Sequence, residues 1–264
     1  MLLRREYKYL VPNKYLDDIR NEMLPFVETD RFASACENNQ YTVRSIYYDS
    51  PNLDFYHEKI EGLKIRKKLR IRGYNKFMDD CVVFLEIKRK RENFIDKHRS
   101  KIYYKNLDDI FYTGDLDSYI IQSDADSIKN AQRFFFHVNK KLLKPISLVV
   151  YEREAYFSRF DTNIRITFDK NLRYYSLPLF ADLYEDNILK PAIKNHFVFE
   201  MKFYQGFPEH FSKIINKFQL IRLAVSKYSI CIDADKELRP TSNKKFLALG
   251  NPVWKDKISR KEAI

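Results

Sequence analysis

Along 196–203 the chain reads HFVFEMKF. Phe197, Phe199, Met201 and Phe203 occupy alternate positions, with Val198, Glu200 and Lys202 between them. A period of two puts these sets on opposite faces of a strand. The split recurs at 63–72, where Leu63, Ile65, Leu69 and Ile71 oppose Lys64, Arg66, Lys68, Arg70 and Arg72. It recurs at 163–169, where Ile164, Ile166 and Phe168 oppose Arg165, Thr167 and Asp169. Strand-forming composition predicts further strands at 2–11, 41–50, 80–91, 95–104, 146–157, 163–175 and 225–233. Spacing of three and four predicts a helix over 127–143, with Ile128, Ala131, Phe135, Val138 and Leu142 inward. A second helix over 208–220 buries Phe211, Ile214, Ile215 and Phe218, and Pro12-Asn13 opens a third that carries Tyr15, Leu16, Ile19 and Met23. The turn Ser50-Pro51-Asn52 precedes a short helix over 53–62. At least eight strands with irregularly placed helices give an α+β class with a large antiparallel sheet or barrel, not regular βαβ units.

Composition changes the picture in two ways. The 264 residues are 45% hydrophobic and 16% aromatic, enough for one large domain or two small ones with a real core. Lysine and arginine total 48 against 36 acids, for a net charge of +12, which calls for an anionic partner: nucleic acid, anionic lipid or polyphosphate. With five glycines the chain has neither GxGxxG nor GxxxxGK[ST], so the nucleotide loops that depend on them are excluded. No RNP-type aromatic motif or helix-turn-helix supports nucleic acid. Cys36, Cys81 and Cys231 are scattered without CxxC spacing, which predicts no zinc site, no disulfide framework and a cytoplasmic location. The N-terminus carries no apolar signal segment, and no apolar run approaches the roughly 20 residues of a membrane span. His57, His98, His137, His196 and His210 are dispersed and read as structural or surface groups, with His98 in a basic strand. Residues 236–264 form a basic tail with one tryptophan, Trp254.

Three strands carry Glu-x-Lys on one face: Glu6/Lys8, Glu86/Lys88 and Glu200/Lys202. Two readings follow. Such a face is ordinary on the wet side of an antiparallel sheet. Alternatively it lines a closed barrel, whose apolar outer face the amphipathic helices would cover. Enclosed lysines and arginines are costly unless paired or filled by anions, so that lumen requires a polyanion and metal.

The motifs Arg4-x-Glu6-x-Lys8-Tyr9, Arg70-x-Arg72, Glu86-x-Lys88, Tyr151-x-Arg153-x-Ala155, Glu200-x-Lys202 and Ser226-Lys227-Tyr228 occur in that order. Together they resemble the VTC domain, the polyphosphate polymerase module of the vacuolar transporter chaperone complex, in the triphosphate tunnel metalloenzyme superfamily. The resemblance runs from Arg4 to about Asp233. It implies a domain over 1–235, built as a closed antiparallel β-barrel (tunnel) of about eight strands with helices packed on its outside. The implied activity transfers the γ-phosphoryl group of ATP to a growing inorganic polyphosphate chain, with Mn²⁺ or Mg²⁺. Two alternatives on the same fold are an inorganic triphosphatase or polyphosphatase and a non-catalytic polyphosphate-binding domain. The implied phosphate ligands are Lys8, Arg70, Arg72, Lys88, Lys101, Arg153, Arg165, Lys202, Ser226 and Lys227. Of these, Arg72, Lys88, Arg153 and Lys202 would be catalytic, and Glu200, Glu6 and Asp169 would hold metal. The implied partners are ATP and inorganic polyphosphate, with no nucleic acid, no transmembrane segment in this chain and room for a membrane-protein partner. Two departures stand out. Arg4 replaces the first glutamate of the Glu-x-Glu-x-Lys signature of many tunnel enzymes, which moves the resemblance towards the VTC branch. Lys90 stands where the VTC pattern tends to carry a histidine.

Overall fold

The computed structural model describes residues 4–92, 94–122, 124–204 and 206–238. Its elements, in chain order, begin with β1 (Arg5–Pro12), α1 (Leu16–Met23), β2 (Val27–Thr29), α2 (Arg31–Ser34), β3 (Gln40–Asp49) and α3 (Asp54–Ile60). The hairpin strands β4 (Ile65–Tyr74), β5 (Val82–Arg91) and β6 (Phe94–Tyr103) follow, then α4 (Leu107–Thr113), α5 (Leu116–Tyr119), β7 (Ile120–Ile121) and α6 (Ser127–Lys140). The chain continues through β8 (Lys144–Ser158), β9 (Arg165–Ser176), β10 (Lys190–Pro191), β11 (His196–Phe203), α7 (Glu209–Lys217) and α8 (Lys227–Ala234). Apart from 236–238, the expected basic tail, Trp254 included, lies outside the described residues.

The strands form one antiparallel sheet, hydrogen-bonded in the order β1-β11-β9-β8-β3-β4-β5-β6-β7, with β10 beside β9 and β2 beside β8. This corrects the closed barrel of about eight strands. Among the described residues the sheet has 11 strands and its path is open, with β1 at one end and the two-residue β7 at the other. Alternation fixes which face a side chain takes; it does not say which edge strands pair, so closure was not written in the pattern.

The chain divides into two compact units. Among the described residues the first comprises 4–42, 151–173 and 191–227, and the second 43–150, 174–190 and 228–238. In the first unit β1 pairs with β11 and β11 with β9, which sets Lys8 opposite Glu200 and Glu6 opposite Lys202. The alternate residues Phe197, Phe199, Met201 and Phe203 are each 1% exposed. They pack with Phe168 and with Ile19 and Met23 of α1 and Phe211 and Ile214 of α7. Truncating a phenylalanine in such a core costs about 3–5 kcal/mol. In the second unit Leu69, Ile71, Leu85, Ile87 and Ile102 of β4–β6 pack against Ala131 and Phe134 of α6 and Leu107 and Ile110 of α4. In each unit the helices therefore cover the apolar side of the strands, and the charged side is left for other work.

The strand expected at 225–233 is a helix, α8. Tyr228, Ser229, Ile230, Cys231 and Ile232 are buried in succession. A short helix buried all round shows no helical stripe, so its apolar residues two apart mimic a strand. The Tyr228 hydroxyl donates to Asp49 at 2.7 Å, an acid that also accepts from the backbone N–H of Ser50, Phe55 and Tyr56 at the start of α3.

Candidate functional site

Two charged faces emerge, one in each unit. In the second, pairing places Arg70 opposite Glu86 and Glu86 opposite Arg99. Glu86 is 2% exposed and gathers cations from the two strands that flank it, β4 and β6. Arg70 reaches its Oε2 with Nε at 2.7 Å, and Arg99 Nε and Lys97 Nζ reach Oε1 at 2.8 and 3.0 Å. Arg72 Nη1 stands 4.0 Å from Oε2 and its Nε donates to Ser45 Oγ at 3.1 Å. Tyr47 and Tyr74 hydroxyls accept from Arg70 and Arg99, and the Arg99 guanidinium lies 3.7 Å from the Phe84 ring centre. Burial opposes ionisation of Glu86, yet Arg70, Arg72, Lys97 and Arg99 hold its carboxyl far below the usual range. The register also sets Lys68, Lys88 and Lys97 directly across from one another, and Lys101 across from Phe84. Like charges in one cross-strand row repel.

In the first unit two sub-clusters form. Lys8 Nζ stands 3.3 Å from Glu6 and 3.5 Å from Glu200, and donates to the Val225 carbonyl at 3.4 Å. Lys202 pairs with Glu200 and lies 3.8 Å from Glu6. Glu200 is 3% exposed; burial favours its neutral form, but Lys202, Lys8 and Lys227 keep it ionised well below the ordinary glutamate range. Burial pushes the Lys202 ammonium down despite Glu200 and Glu6, whereas for Lys8 the same two acids outweigh burial and raise it. The second sub-cluster centres on Asp169. Arg153 grips it with Nε at 2.6 Å and Nη2 at 2.8 Å, a two-point fork, and Lys227 bonds the Oδ2 as well. Tyr151 lies under both cations, 5.3 Å from the Arg153 guanidinium carbon and 4.8 Å from Lys227 Nζ. Burial opposes ionisation of Asp169 too, and Arg153 and Lys227 overcome it.

The first unit thus holds Lys8, Arg153, Arg165, Lys202, Ser226 and Lys227 with Glu6, Asp169 and Glu200; the second holds Arg70, Arg72, Lys88 and Lys101. Arg165 lies across the ladder from Lys202, 3.3 Å from Asp30 and donating to the Tyr41 hydroxyl. Ser226 is buried and immediately precedes α8, whose first residue is Lys227. Sequence reasoning passed over Lys97 and Arg99. The available signal was parity, since both share a strand face with Lys101.

Among the described residues no group of three or more histidine, cysteine, aspartate or glutamate side chains is arranged to hold a metal ion. The oxygens of Asp169 are bonded to Arg153 and Lys227. Glu6 and Glu200 project from adjacent strands and share Lys8 and Lys202. A pair of carboxylates completed by phosphate oxygens suits Mg²⁺ or Mn²⁺, hard cations often held by one or two protein carboxylates.

The VTC domain model matches residues 3–234. Over 145 residues, 49% of the chain, the sequence is 28% identical to vacuolar transporter chaperone complex subunit 4 of Schizosaccharomyces pombe and covers 20% of it. The chain therefore spans about a fifth of the length of this curated relative. A Pyrococcus horikoshii OT3 protein of solved structure aligns with a TM-score of 0.46 and 17% identity, covering 88% of this chain and 99% of that one. An adenylyl cyclase candidate from Hippeastrum with a dominant triphosphatase activity aligns with a TM-score of 0.45 and 12% identity, covering 88% and 95%. No described helix is long and apolar enough to cross a membrane. With its family model spanning nearly all of the described residues, the chain belongs to the VTC domain family.

Proposed function

We propose that this protein is a polyphosphate polymerase, moving the γ-phosphoryl group of ATP to the end of an inorganic polyphosphate chain with a divalent metal. One observation carries the reading. The face around Glu86 brings Arg70, Arg72, Lys97 and Arg99 to one buried carboxylate, and the face around Glu200 holds Lys8 and Lys202 against Glu6 and Glu200. Phosphoryl transfer needs positioning and charge stabilisation more than covalent help from the protein.

In the proposed reaction a terminal phosphate oxygen of the chain attacks the γ-phosphorus of ATP. The new P–O bond forms as the bond to the β–γ bridging oxygen breaks, and ADP leaves with that electron pair. A phosphate nucleophile is already largely ionised near neutral pH, so no dedicated general base is required. Arg70 and Arg72 supply planar forks for phosphate oxygens. Within the second unit Lys88 and Lys101 supply point charges for phosphate oxygens, and within the first unit Lys8, Lys202 and Lys227 do so, with Arg165 and Ser226 as further contacts. Arg153, held by Asp169, keeps its guanidinium in one orientation and so adds a prepaid positive field. Glu200 and Glu6 would hold Mn²⁺ or Mg²⁺, which would supply positive charge against that developing on the transferring phosphoryl group. Asp169 would act through Arg153 and Lys227.

The test is direct. Purified protein is incubated with ATP and Mn²⁺ or Mg²⁺, products are run on a gel stained for polyphosphate, and ADP and free phosphate are measured. Chains with matching ADP are expected. Phosphate without chains would assign the same faces to a triphosphatase, and absence of turnover would reduce the protein to a polyphosphate binder.

A further inference from the structure

A second basic site lies on the opposite side of β5 and β6 from Glu86. There a cleft of about 490 Å³ opens between the strand ends and α6. Ile87, 3% exposed, forms part of its floor, and Phe136, 57% exposed, stands on its α6 wall. The positions that α6 contributes are 129, 132, 133, 136 and 137, one face of a helix at three and four spacing. Arg89, Arg91, Lys129 and Arg133 line the cleft, with Asp96 as its one acid. Among the described residues the buried Arg89 Nε has no hydrogen-bond partner, which a native protein rarely tolerates without a ligand or water. Arg133 Nη1 lies 3.1 Å from His98 Nδ1 and donates to Asn130 Oδ1 at 3.1 Å. The positive field is strong enough to show on its neighbours. Burial, followed by Lys67 and Arg89, pushes the His137 imidazole down to about 4, and burial with Arg89 and Lys141 lowers the Lys67 ammonium.

Four cations against one acid, in a cleft with an apolar floor and an aromatic wall, select an anion that carries its own carbon skeleton. We propose that this cleft binds a small organophosphate such as a nucleotide, its phosphates on Arg89, Arg91, Lys129 and Arg133 and its ring or carbon frame against Ile87 and Phe136. The volume falls within the range of ordinary small-molecule sites. An inorganic phosphate chain would use the cations but gain nothing from the apolar wall.

The test separates this site from the two charged faces. In the full chain carrying Arg72→Ala and Lys202→Ala, ATP, inorganic triphosphate and adenosine are titrated by calorimetry. Saturable ATP binding near one equivalent is expected, tighter than that of triphosphate, with adenosine weaker still. Adding Arg89→Ala and Arg133→Ala should weaken ATP by about tenfold or more, the loss of at least one charge-assisted contact. Lys129→Glu, at an exposed position, should give the same direction of change in a chain whose melting is unaltered. ATP binding that ignores all three changes, or its absence in the starting variant, would overturn the site. Equal affinity for triphosphate and ATP would overturn the organophosphate assignment. Each readout is independent of chain synthesis, so this site and the polymerase reading stand or fall separately.

Discussion

The two charged faces solve different electrostatic problems. Around Glu86, four cations share one carboxylate, for a local sum of +3, and Lys68, Lys88 and Lys101 on the same face raise it to +6. In the first unit Lys8, Lys202, Arg153 and Lys227 meet Glu6, Glu200 and Asp169, for a sum of +1. The first face is therefore nearly neutral by itself, its pairs built around the buried carboxylates of Glu200 and Asp169. The second brings Arg70, Arg72, Lys97 and Arg99 to the single carboxylate of Glu86. A rigid, self-paired cluster suits holding charges in fixed places, and an open cationic row suits gripping a chain of phosphates.

Variants that break this contrast are expected to fall in a definite order. Asp169→Asn should be the most damaging to stability. Arg153 and Lys227 would remain buried without their counter-charge, at a cost of about 3–5 kcal/mol, read from urea midpoints. Glu86→Gln should cost less, because the Lys97 and Arg99 side chains are 47% and 34% exposed and water screens them. Next comes chemistry. Arg72→Ala should reduce chain synthesis by about 100-fold, the scale of one lost transition-state contact, with little change in melting.

Acid sharpens the comparison further. Glu86, Glu200 and Asp169 all ionise more readily folded than unfolded, the opposing effect of burial being overcome by Arg70, Lys202 and Arg153 respectively. A depressed folded value means stability is fully present above the unfolded carboxylate range, about pH 4, and is lost as pH falls through the folded values. Melting temperature should hold from pH 7 to about pH 5 and then fall, less steeply in Glu200→Gln than in the wild type. The smallest effect belongs to the solvent. Lys213 pairs with Glu209 at 2.9 Å, but both side chains are at least 75% exposed, so Lys213→Ala should change stability by about 0.5 kcal/mol or less.

Some of this was legible in the residues and some was not. HFVFEMKF declared its two faces because period two admits one arrangement: Phe199 lies in the core and Glu200 on the charged side. The helix at α6 declared itself because 14 residues give the 3–4 stripe room to repeat. What failed is non-local. That Glu86 sits opposite Arg99 depends on the register of a hairpin, which no single strand reveals. Arg44 looks like any strand arginine, yet it is 1% exposed and bonded to Asp186 at 2.8 and 2.9 Å, a partner 142 residues away. Strand order, and with it the open path, is equally a property of distant pairings.

The contrast between the faces comes down to one comparison on one gel. Wild type and Arg72→Ala are incubated with ATP and Mn²⁺, and product is stained for polyphosphate beside an ADP assay. The account predicts long chains with matching ADP from the wild type and a loss of about 100-fold in the variant at unchanged melting temperature. Chain synthesis by a folded Arg72→Ala protein at the wild-type rate would contradict it.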